Sequence, residues 1–372
     1  EYDSAKFRNK ARADASFKVV DGKQTPGKVA IYSTCYINYN EPGIGHDLLK
    51  ILAHNEIPAK LVEKEVCCGM PKLELGDLEA VAHNKAINIP VLAKLAREGY
   101  AILAAVPSCA LMFKQELPLM FPDDADVKAV AEAMYDPFEY FVQRQKDGLL
   151  KTDFKKGLGK VSYHIPCHLR VQNMGQKTRE LLEKIPDTKV TTVERCAGHD
   201  GTWGVKSEYY DNSMKIGRPV FRMMNDAVPD YISSDCAIAG RHIQQGIRES
   251  NADSKAAKQH PLELLRIAPR QEDAVGGVEQ DAAVRLVDRI DRHLAGDRLQ
   301  QLVTFVVEVG GAGGGTGIAA LGSGVQNALG LAASICAISA RNSLIVSSIS
   351  PMRGSTSSKA AIFACSFTRA VS

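Results

Sequence analysis

"KVAIYSTCYINYNEPGIGHDLLKILAHNEIPAKLVEKEVCCG" (residues 28–69) and "KVSYHIPCHLRVQNMGQKTRELLEKIPDTKVTTVERCAG" (residues 160–198) present one series of features twice. Each begins with a short apolar segment that predicts a strand ending at a cysteine, Cys35 in the first and Cys167 in the second. A loop, a helical segment and a second predicted strand follow, and one or two cysteines then precede a glycine. A series repeated in this order indicates a duplicated unit.

A third predicted strand with its own cysteine completes each unit. It is "YAILAAVPSCALMFKQELP" with Cys109 in the first unit and "DYISSDCAIAGRHIQQGI" with Cys236 in the second. Matching cysteines are offset by 132, 129 and 127 residues. Because strands that alternate with helices favour parallel β-α-β units, the sequence predicts an α/β fold. We expect two tandem duplicated cysteine-rich modules, each with a small parallel sheet covered by helices.

The repeat sets the predicted domain bounds. Residues 1–27 form an N-terminal extension, 28–150 the first module and 151–268 the second, degenerate module. Residues 269–372 form a Gly/Ala/Ser-rich C-terminal segment in which Lys359 is the only lysine. We interpret this segment as non-native or poorly ordered, with a separate appended segment as the alternative.

Charge and cysteine content narrow the function class. Lys and Arg number 46 and Asp and Glu 43, giving a net charge of +3, and no basic run is interleaved with aromatics, so nucleic acid is not expected as a partner. The nine cysteines are an odd number, which fits a disulfide framework badly and fits thiolate ligands in a reducing compartment. No secretory leader pattern is visible. We therefore expect a cytoplasmic protein.

Every repeated cysteine is predicted to lie just beyond the carboxyl end of a strand, where parallel sheets bind ligands. A lone cysteine there is usually a small buried hydrophobe, but packing has no reason to repeat the placement in two modules. Zinc and iron–sulfur both remain open as the bound metal. Adjacent ligands diverge around one ion and can reach different irons of a cluster, which favours iron. The candidate ligands are Cys35, Cys67, Cys68 and Cys109 in the first module and Cys167, Cys196 and Cys236 in the second.

The motifs "VCCGMP", "PSCALMFKQELP", "IPCHLR", "ERCAGHDGTWG" and "HPLELLRIA" resemble the cysteine-rich CCG domain family over residues 28–268. That family includes one subunit of heterodisulfide reductase and one of anaerobic glycerol-3-phosphate dehydrogenase. The resemblance implies an iron–sulfur electron-transfer protein with a 4Fe-4S cluster. It also implies a flavin-containing dehydrogenase subunit or another redox protein as partner, and a quinone-linked, peripheral place at the inner membrane as one location. The ferredoxin segment that many relatives carry is not found in these residues.

The sequence departs from the family motif at three positions. Met112 and Ala239 stand where the motif closes with a further cysteine, and Ala197 replaces the second of the paired cysteines. The second module is thus left with three thiols. A fourth ligand there would be a histidine, a water or a substrate, and His199 is the first choice as a metal ligand. Zinc in one module stays open.

Three functions follow from these observations. The first is an iron–sulfur electron-transfer subunit or partner of an oxidoreductase, resembling the glycerol-3-phosphate dehydrogenase subunit. The second is a thiol/disulfide reductase of the heterodisulfide type, which the missing cysteines put in doubt. The third is a zinc-stabilised binding scaffold without redox activity. Trp203 is expected to fill the core or to pack over a cluster, and Cys336 and Cys365 lie outside the repeat and are not counted as ligands.

Overall fold

The computed structural model describes residues 6–226, 228–251, 253–268, 345–351 and 363–368. The chain divides into two compact units, Glu1–Asp281 and Ala282–Ser372. Both cysteine-rich modules lie in the first unit. The expectation that residues 269–372 are non-native or poorly ordered falls mostly on residues outside the described ranges.

The first module is built on a four-stranded parallel sheet with the order β2-β1-β3-β4. Its strands are β1 (Val29–Ile31), β2 (Ala59–Leu61), β3 (Ala101–Leu103) and β4 (Met134–Tyr135). The residues of β1 and β3 are all buried, as expected for short central strands covered on both faces.

The second module repeats this topology with the order β6-β5-β7-β8, again entirely parallel. Its strands are β5 (Gly159–His164), β6 (Thr188–Val193), β7 (Tyr231–Ser234) and β8 (Ala257–Lys258). The identical strand order confirms the predicted α/β fold of two duplicated modules.

Helices connect the strands in both modules. Those before β5 are α1 (Phe7–Lys10), α2 (Cys35–Tyr39), α3 (Pro42–His54), α4 (Met70–Glu74), α5 (Leu78–Arg97), α6 (Pro107–Leu111), α7 (Leu117–Met120), α8 (Ala125–Ala133) and α9 (Pro137–Lys146), with a π-helical turn (Met112–Glu116) joining α6 to α7. Those after it are α10 (Cys167–Arg170), α11 (Lys177–Leu182), a 3₁₀ turn (Ser207–Tyr209), α12 (Tyr210–Asp226), α13 (Ala237–Ser250) and α14 (Pro261–Ile267).

Some helix starts carry side-chain caps. Asp77 begins α5 by accepting a hydrogen bond from the Ala80 N–H, and Asp136 forms a reciprocal capping box with Glu139 at the start of α9. The strands are shorter than predicted. β1 ends at Ile31 and β5 at His164, so Cys35 and Cys167 do not end strands but begin helices α2 and α10. Thr34, with its hydroxyl accepting from the Ile37 N–H, starts the first of these helices.

The last helix of each module packs against a helix of the other module. Helix α9, which follows β4, packs on α11 of the second module, and α14, which follows β8, packs on α3 of the first. An ion pair of 2.6 Å between Arg266 Nε and Asp47 Oδ1 joins α14 to α3. Residues of both modules therefore share one apolar core.

The second unit is described only as an antiparallel pair of strands, β9 (Ile345–Pro351) and β10 (Phe363–Thr368). Among the helices in the described residues, none combines the length and apolar character needed to cross a bilayer.

Candidate metal centre

All four cysteines of the first module lie beyond the carboxyl ends of its strands. Cys35 is the first residue of α2, Cys67 and Cys68 precede α4, and Cys109 lies in α6. All four are free thiols, and their exposure decreases from Cys35, which is exposed, to Cys68 and Cys109, which are buried. The fold therefore gathers these predicted ligands at one edge of one sheet.

The four thiols touch one another in series. The Cys35 and Cys68 thiols both hydrogen-bond to Cys67, and Cys68 also bonds to Cys109. Hydrogen bonds from Cys35 and Cys68 lower the pKa of the Cys67 thiol to about 2. The hydrogen bond to Cys67, and then burial, raises the pKa of Cys35, whereas the hydrogen bond to Cys109, and then that to Cys67, raises the pKa of Cys68. One thiolate is thus stabilised in the middle of the set.

Asn88 holds the backbone of the paired cysteines in place. This side chain on α5 is 1% exposed. Its Oδ1 accepts from the Val66 N–H at 3.0 Å, and its Nδ2 donates to the carbonyls of Val66 at 3.3 Å and Cys67 at 3.2 Å. The Tyr32 hydroxyl also donates to the Val66 carbonyl. This loop is therefore fixed by buried polar bonds, which are costly to break.

The segment before β1 reaches the same site. Arg8 donates to the carbonyls of Val62 at 2.7 Å and Glu63 at 3.0 Å, and pairs with Glu65 at 3.2 Å. Glu65 accepts in turn from the Ser33 N–H at 3.0 Å. Arg8 thereby ties the loop before Cys35 to the loop before Cys67. The domain bounds remain a prediction, but α1 contacts the first module directly.

Met112 fills the space beside the paired cysteines. Its side chain is fully buried, and its Cε lies 3.6 Å from the position that a Cβ on Gly69 would take. Gly69 has a φ of 98°, a conformation that favours glycine. A π-helical turn begins at Met112, three residues after Cys109; such turns are frequent at functional sites. An apolar side chain thus occupies the place where the family motif has its last thiol.

The second module brings its three thiols near one another with less contact. Burial raises the pKa of Cys236 to about 11, and the nearby Cys167 adds to the rise. Burial also raises the pKa of Cys167, with Cys196 close enough to act on it electrostatically. Cys196 is exposed, and its sulfur accepts from the Gly198 N–H at 3.4 Å. Ala197 and Ala239 are each 4% exposed, so both replaced positions lie in the apolar core.

His199 lies beside a second histidine that the sequence did not suggest. The ring of His199 is 5.2 Å from that of His242 on α13, whose Nε2 is 3.2 Å from the Ser213 hydroxyl. Burial, and then the neighbouring His242, lowers the pKa of His199 to about 4. Its Nδ1 is buried and has no hydrogen-bond partner. His242 follows Cys236 by six residues outside any cysteine motif, so no signal in the sequence identified it.

Two carboxyl groups are buried where the modules meet. Asp136 precedes α9, and Asp235 precedes Cys236. Asp235 accepts from the Tyr163 hydroxyl and, at 3.0 Å, from the Thr178 hydroxyl. Burial, and then the neighbouring Asp235, raises the pKa of Asp136 to about 8. The junction therefore holds a proton at neutral pH.

The donor set was tested against the two kinds of metal site. Within the described residues, no three or more His, Cys, Asp or Glu side chains converge on a point where one metal ion could sit. In the first module the four thiols therefore do not surround a single point, as the ligands of one zinc ion would. Four neighbouring free thiols match the chemistry of an iron–sulfur cluster, which takes one thiolate at each of several irons.

Trp203 does not lie in the core. It is half-buried and lines a cavity together with Cys196. The expectation that it fills the core is therefore wrong, and packing over a cluster stays a prediction.

Comparisons with known proteins match one domain family to each of the two modules. The cysteine-rich domain family, CCG, matches residues 29–114 and 161–243. A subunit of the anaerobic glycerol-3-phosphate dehydrogenase of Escherichia coli K12 is 28% identical over 262 residues, covering 70% of this chain and 61% of that protein. An uncharacterized iron–sulfur protein of Methanocaldococcus jannaschii is 26% identical, covering 62% of this chain and 44% of that protein. A subunit of the fumarate reductase (CoM/CoB) of Methanothermobacter marburgensis is 27% identical, with 66% and 47% covered.

The chain spans about half of the length of these relatives. A solved aspartate racemase homologue from Pyrococcus horikoshii aligns with 66% of this chain and all of that one at 15% identity and a TM-score of 0.26, which is too low to bear on fold or function.

Proposed function

We propose that this chain, which belongs to the cysteine-rich CCG domain family through both of its modules, is an iron–sulfur electron-transfer subunit of an oxidoreductase. The observation that carries the proposal is the continuous set of four free thiols at the carboxyl edge of the first sheet. A relative of the chain is named as an iron–sulfur protein, which supports the choice of iron over zinc.

Cys35, Cys67, Cys68 and Cys109 would hold the cluster of the first module, which we propose to be of the 4Fe-4S type. A bound cluster supplies one-electron oxidation and reduction. The chain keeps the ligands in position, because Asn88 and Arg8 fix the loops that carry three of them. The buried setting of Cys68 and Cys109 limits access of water to the sulfur atoms.

In the second module, Cys167, Cys196 and Cys236 would hold a separate centre, with His199 as a further ligand. The buried, unpartnered Nδ1 of His199 supports this assignment, since such an atom has no other bond to lose. Fewer thiols and an imidazole would give this centre a higher potential than that of the first module. Zinc in this module is the alternative.

The partner is proposed from the relatives. Two are named as subunits, one of a dehydrogenase and one of a reductase. We propose a flavin-containing dehydrogenase subunit as the electron donor. Rapid mixing of that reduced subunit with the oxidised chain should bleach the cluster absorbance. If the chain stays oxidised after mixing with the reduced flavin subunit, this choice of donor is contradicted.

Metal analysis tests the proposal most simply. After anaerobic purification we expect iron and acid-labile sulfide in equal amounts, and an EPR signal after reduction. A purified protein that contains zinc and no iron would contradict the electron-transfer function. Replacing Cys196 by Ser should then remove the signal of the second module and leave that of the first.

A disulfide reductase is the second candidate because Cys196 is exposed. This function predicts turnover of a small disulfide by the reduced protein and its loss in Cys196→Ser. The buried Met112, Ala197 and Ala239 argue against it, because these positions hold thiols in the complete family motif.

A further inference from the structure

The second module has an open groove beside Cys196, and the other residues that line it have no role in the electron-transfer function. Its volume is about 720 Å³, within the range of small-molecule sites. One side is the loop that carries Arg195, Cys196 and Trp203, and the other is the face of α12 that carries Lys215 and Ile216.

The groove carries unpaired positive charge. Arg195 and Lys215 both line it and are exposed. Among the described residues, the side chains of these two cations form no salt bridge and no hydrogen bond. No acidic side chain lines the groove. An anion entering it would meet two cations and no competing carboxylate.

The aromatic wall is held rigidly. Asp200 Oδ1 accepts from the N–H groups of Trp203 at 2.8 Å and Gly204 at 3.1 Å, which fixes the turn that presents the indole. Tyr209 supports the ring in an edge-on contact with centroids 6.0 Å apart. Ile216 and Pro219 add apolar surface. A flat apolar ring could pack here without reorganising the protein.

The corresponding loop of the first module is held by different contacts. Asn88 of α5 bonds to its backbone at Val66 and Cys67. In the second module, α12 takes the place of α5, and Ser213 donates instead to the Gly198 carbonyl at 2.6 Å. That bond lies beyond Cys196 and leaves the thiol exposed. The two copies of the module therefore differ in how this loop is held as well as in the number of thiols.

We propose that this groove binds a small organic carboxylate with a flat, ring-shaped apolar body. The guanidinium of Arg195 suits a carboxylate because it can donate two parallel hydrogen bonds, and Lys215 adds a second charge. The ring lies against Trp203, and the bound molecule sits next to Cys196. The groove also contains Cys196, a proposed ligand of the second module's centre, so iron content is measured alongside binding.

Trp203 is the only tryptophan of the chain, so it reports on the groove directly. The full chain labelled with 5-fluorotryptophan gives one ¹⁹F NMR signal. We expect phenylacetate to shift this signal saturably. Phenylacetamide, which keeps the ring and lacks the charge, and acetate, which keeps the charge and lacks the ring, should each bind about tenfold more weakly or worse.

Variants on one helix identify the cation. Lys215→Gln should weaken phenylacetate binding about tenfold. Arg218→Gln, an exposed cation on the same helix that does not line the groove, should leave it unchanged. Equal binding of phenylacetate and phenylacetamide, an equal effect of the two substitutions, or no saturable shift would each overturn the proposal.

Iron and sulfide content are measured on the same samples. If the protein has a normal cluster and does not bind phenylacetate, the proposed groove ligand is wrong and the electron-transfer function is unaffected. If the protein binds phenylacetate but contains no iron, the groove proposal is supported and the electron-transfer function is contradicted.

Discussion

At the scale of single residues, both modules have lost the last cysteine of the family motif, and the second module has lost one more. Met112, Ala197 and Ala239 are apolar, buried and well packed where the family motif has cysteine. None of these side chains provides a thiolate that could bind a metal. The first module keeps four connected thiols, whereas the second keeps three, with two of them exposed. Ligand number is therefore set by core packing as much as by the surviving cysteines.

Asn88 is expected to govern the stability of the first site. Asn88→Ala removes partners from the buried backbone of Val66 and Cys67, which should lower the free energy of unfolding by about 1 to 3 kcal/mol. The iron content per chain should fall with it. Asn84→Ala, a half-buried position one turn earlier on the same helix, is the matched control. Equal effects of both variants in urea unfolding and iron analysis would refute the role of Asn88.

Asp136 makes the stability depend on pH. Its pKa in the folded chain is raised to about 8, chiefly by burial, against about 3.9 in an unfolded chain. Between these values the folded state holds the extra proton, so this group makes stability fall as pH rises. Asp136→Asn cannot ionise and still accepts the cap bond. Relative to wild type, the variant should gain up to about 1.4 kcal/mol per pH unit across this window.

Urea midpoints at about pH 5 and about pH 8 measure this gain. The exposed Asp123→Asn serves as control. A stability difference for Asp136→Asn that does not change with pH would show that the buried carboxyl does not titrate as described.

The sequence predicted the cysteines of the site and their edge of the sheet, because strand ends and cysteine motifs are local signals. It did not identify Asn88, Arg8 or His242. Asn88 lies 21 residues from Cys67, and Arg8 lies 54 residues from Val62, so only the fold brings them together. His199 was selected by its motif, and its role as ligand remains a prediction.

At the scale of elements, short loops between strand and helix position the chemistry. The predicted strands extended to Cys35 and Cys167, but the chain turns into a helix at these residues. A buried apolar residue, Tyr32 or Ile165, follows the last paired residue of each strand, so hydrophobicity places the strand end too late. The order of the first three strands of each module was predicted because the same series occurs twice in the chain, but the fourth strands, β4 and β8, were not predicted.

Gly198 is the most constrained point of the loop that carries Cys196. Its φ is 82°, and an added Cβ would lie 2.3 Å from the Ser213 carbonyl oxygen. Gly198→Ala should lower the unfolding free energy by about 1 to 3 kcal/mol and move the ¹⁹F signal of Trp203. Gly201→Ala, where an added Cβ meets nothing within 4 Å, should do neither. If the two variants melt alike, the loop does not require this conformation.

At the scale of the whole molecule, we expect the two modules to unfold together in one cooperative transition. The exchange of α9 and α14 buries apolar surface of each module against the other, and one core contains residues from both. The sequence showed the duplication but not this exchange, because each of these helices follows the last strand of its own module. Contacts between modules leave no periodic signal in a single sequence.

Leu264 on α14 tests this cooperativity. It is fully buried in the shared core, so Leu264→Ala should cost about 2 to 5 kcal/mol. In a Cys196→Ser background, Trp203 fluorescence reports on the second module and cluster absorbance on the first. We expect both signals to shift to the same lower temperature. A shift of the fluorescence alone would mean that the modules unfold independently.

The central claim is that the connected thiols of the first module hold an iron–sulfur cluster. Mössbauer spectra of the ⁵⁷Fe-enriched protein test it most directly, with Cys68→Ser compared to Cys336→Ser, a cysteine outside the repeat. We predict that Cys68→Ser loses or alters the cluster signal of the first module and that Cys336→Ser keeps the wild-type spectrum. A wild-type spectrum in Cys68→Ser, or no iron in the unmodified protein, would contradict the claim.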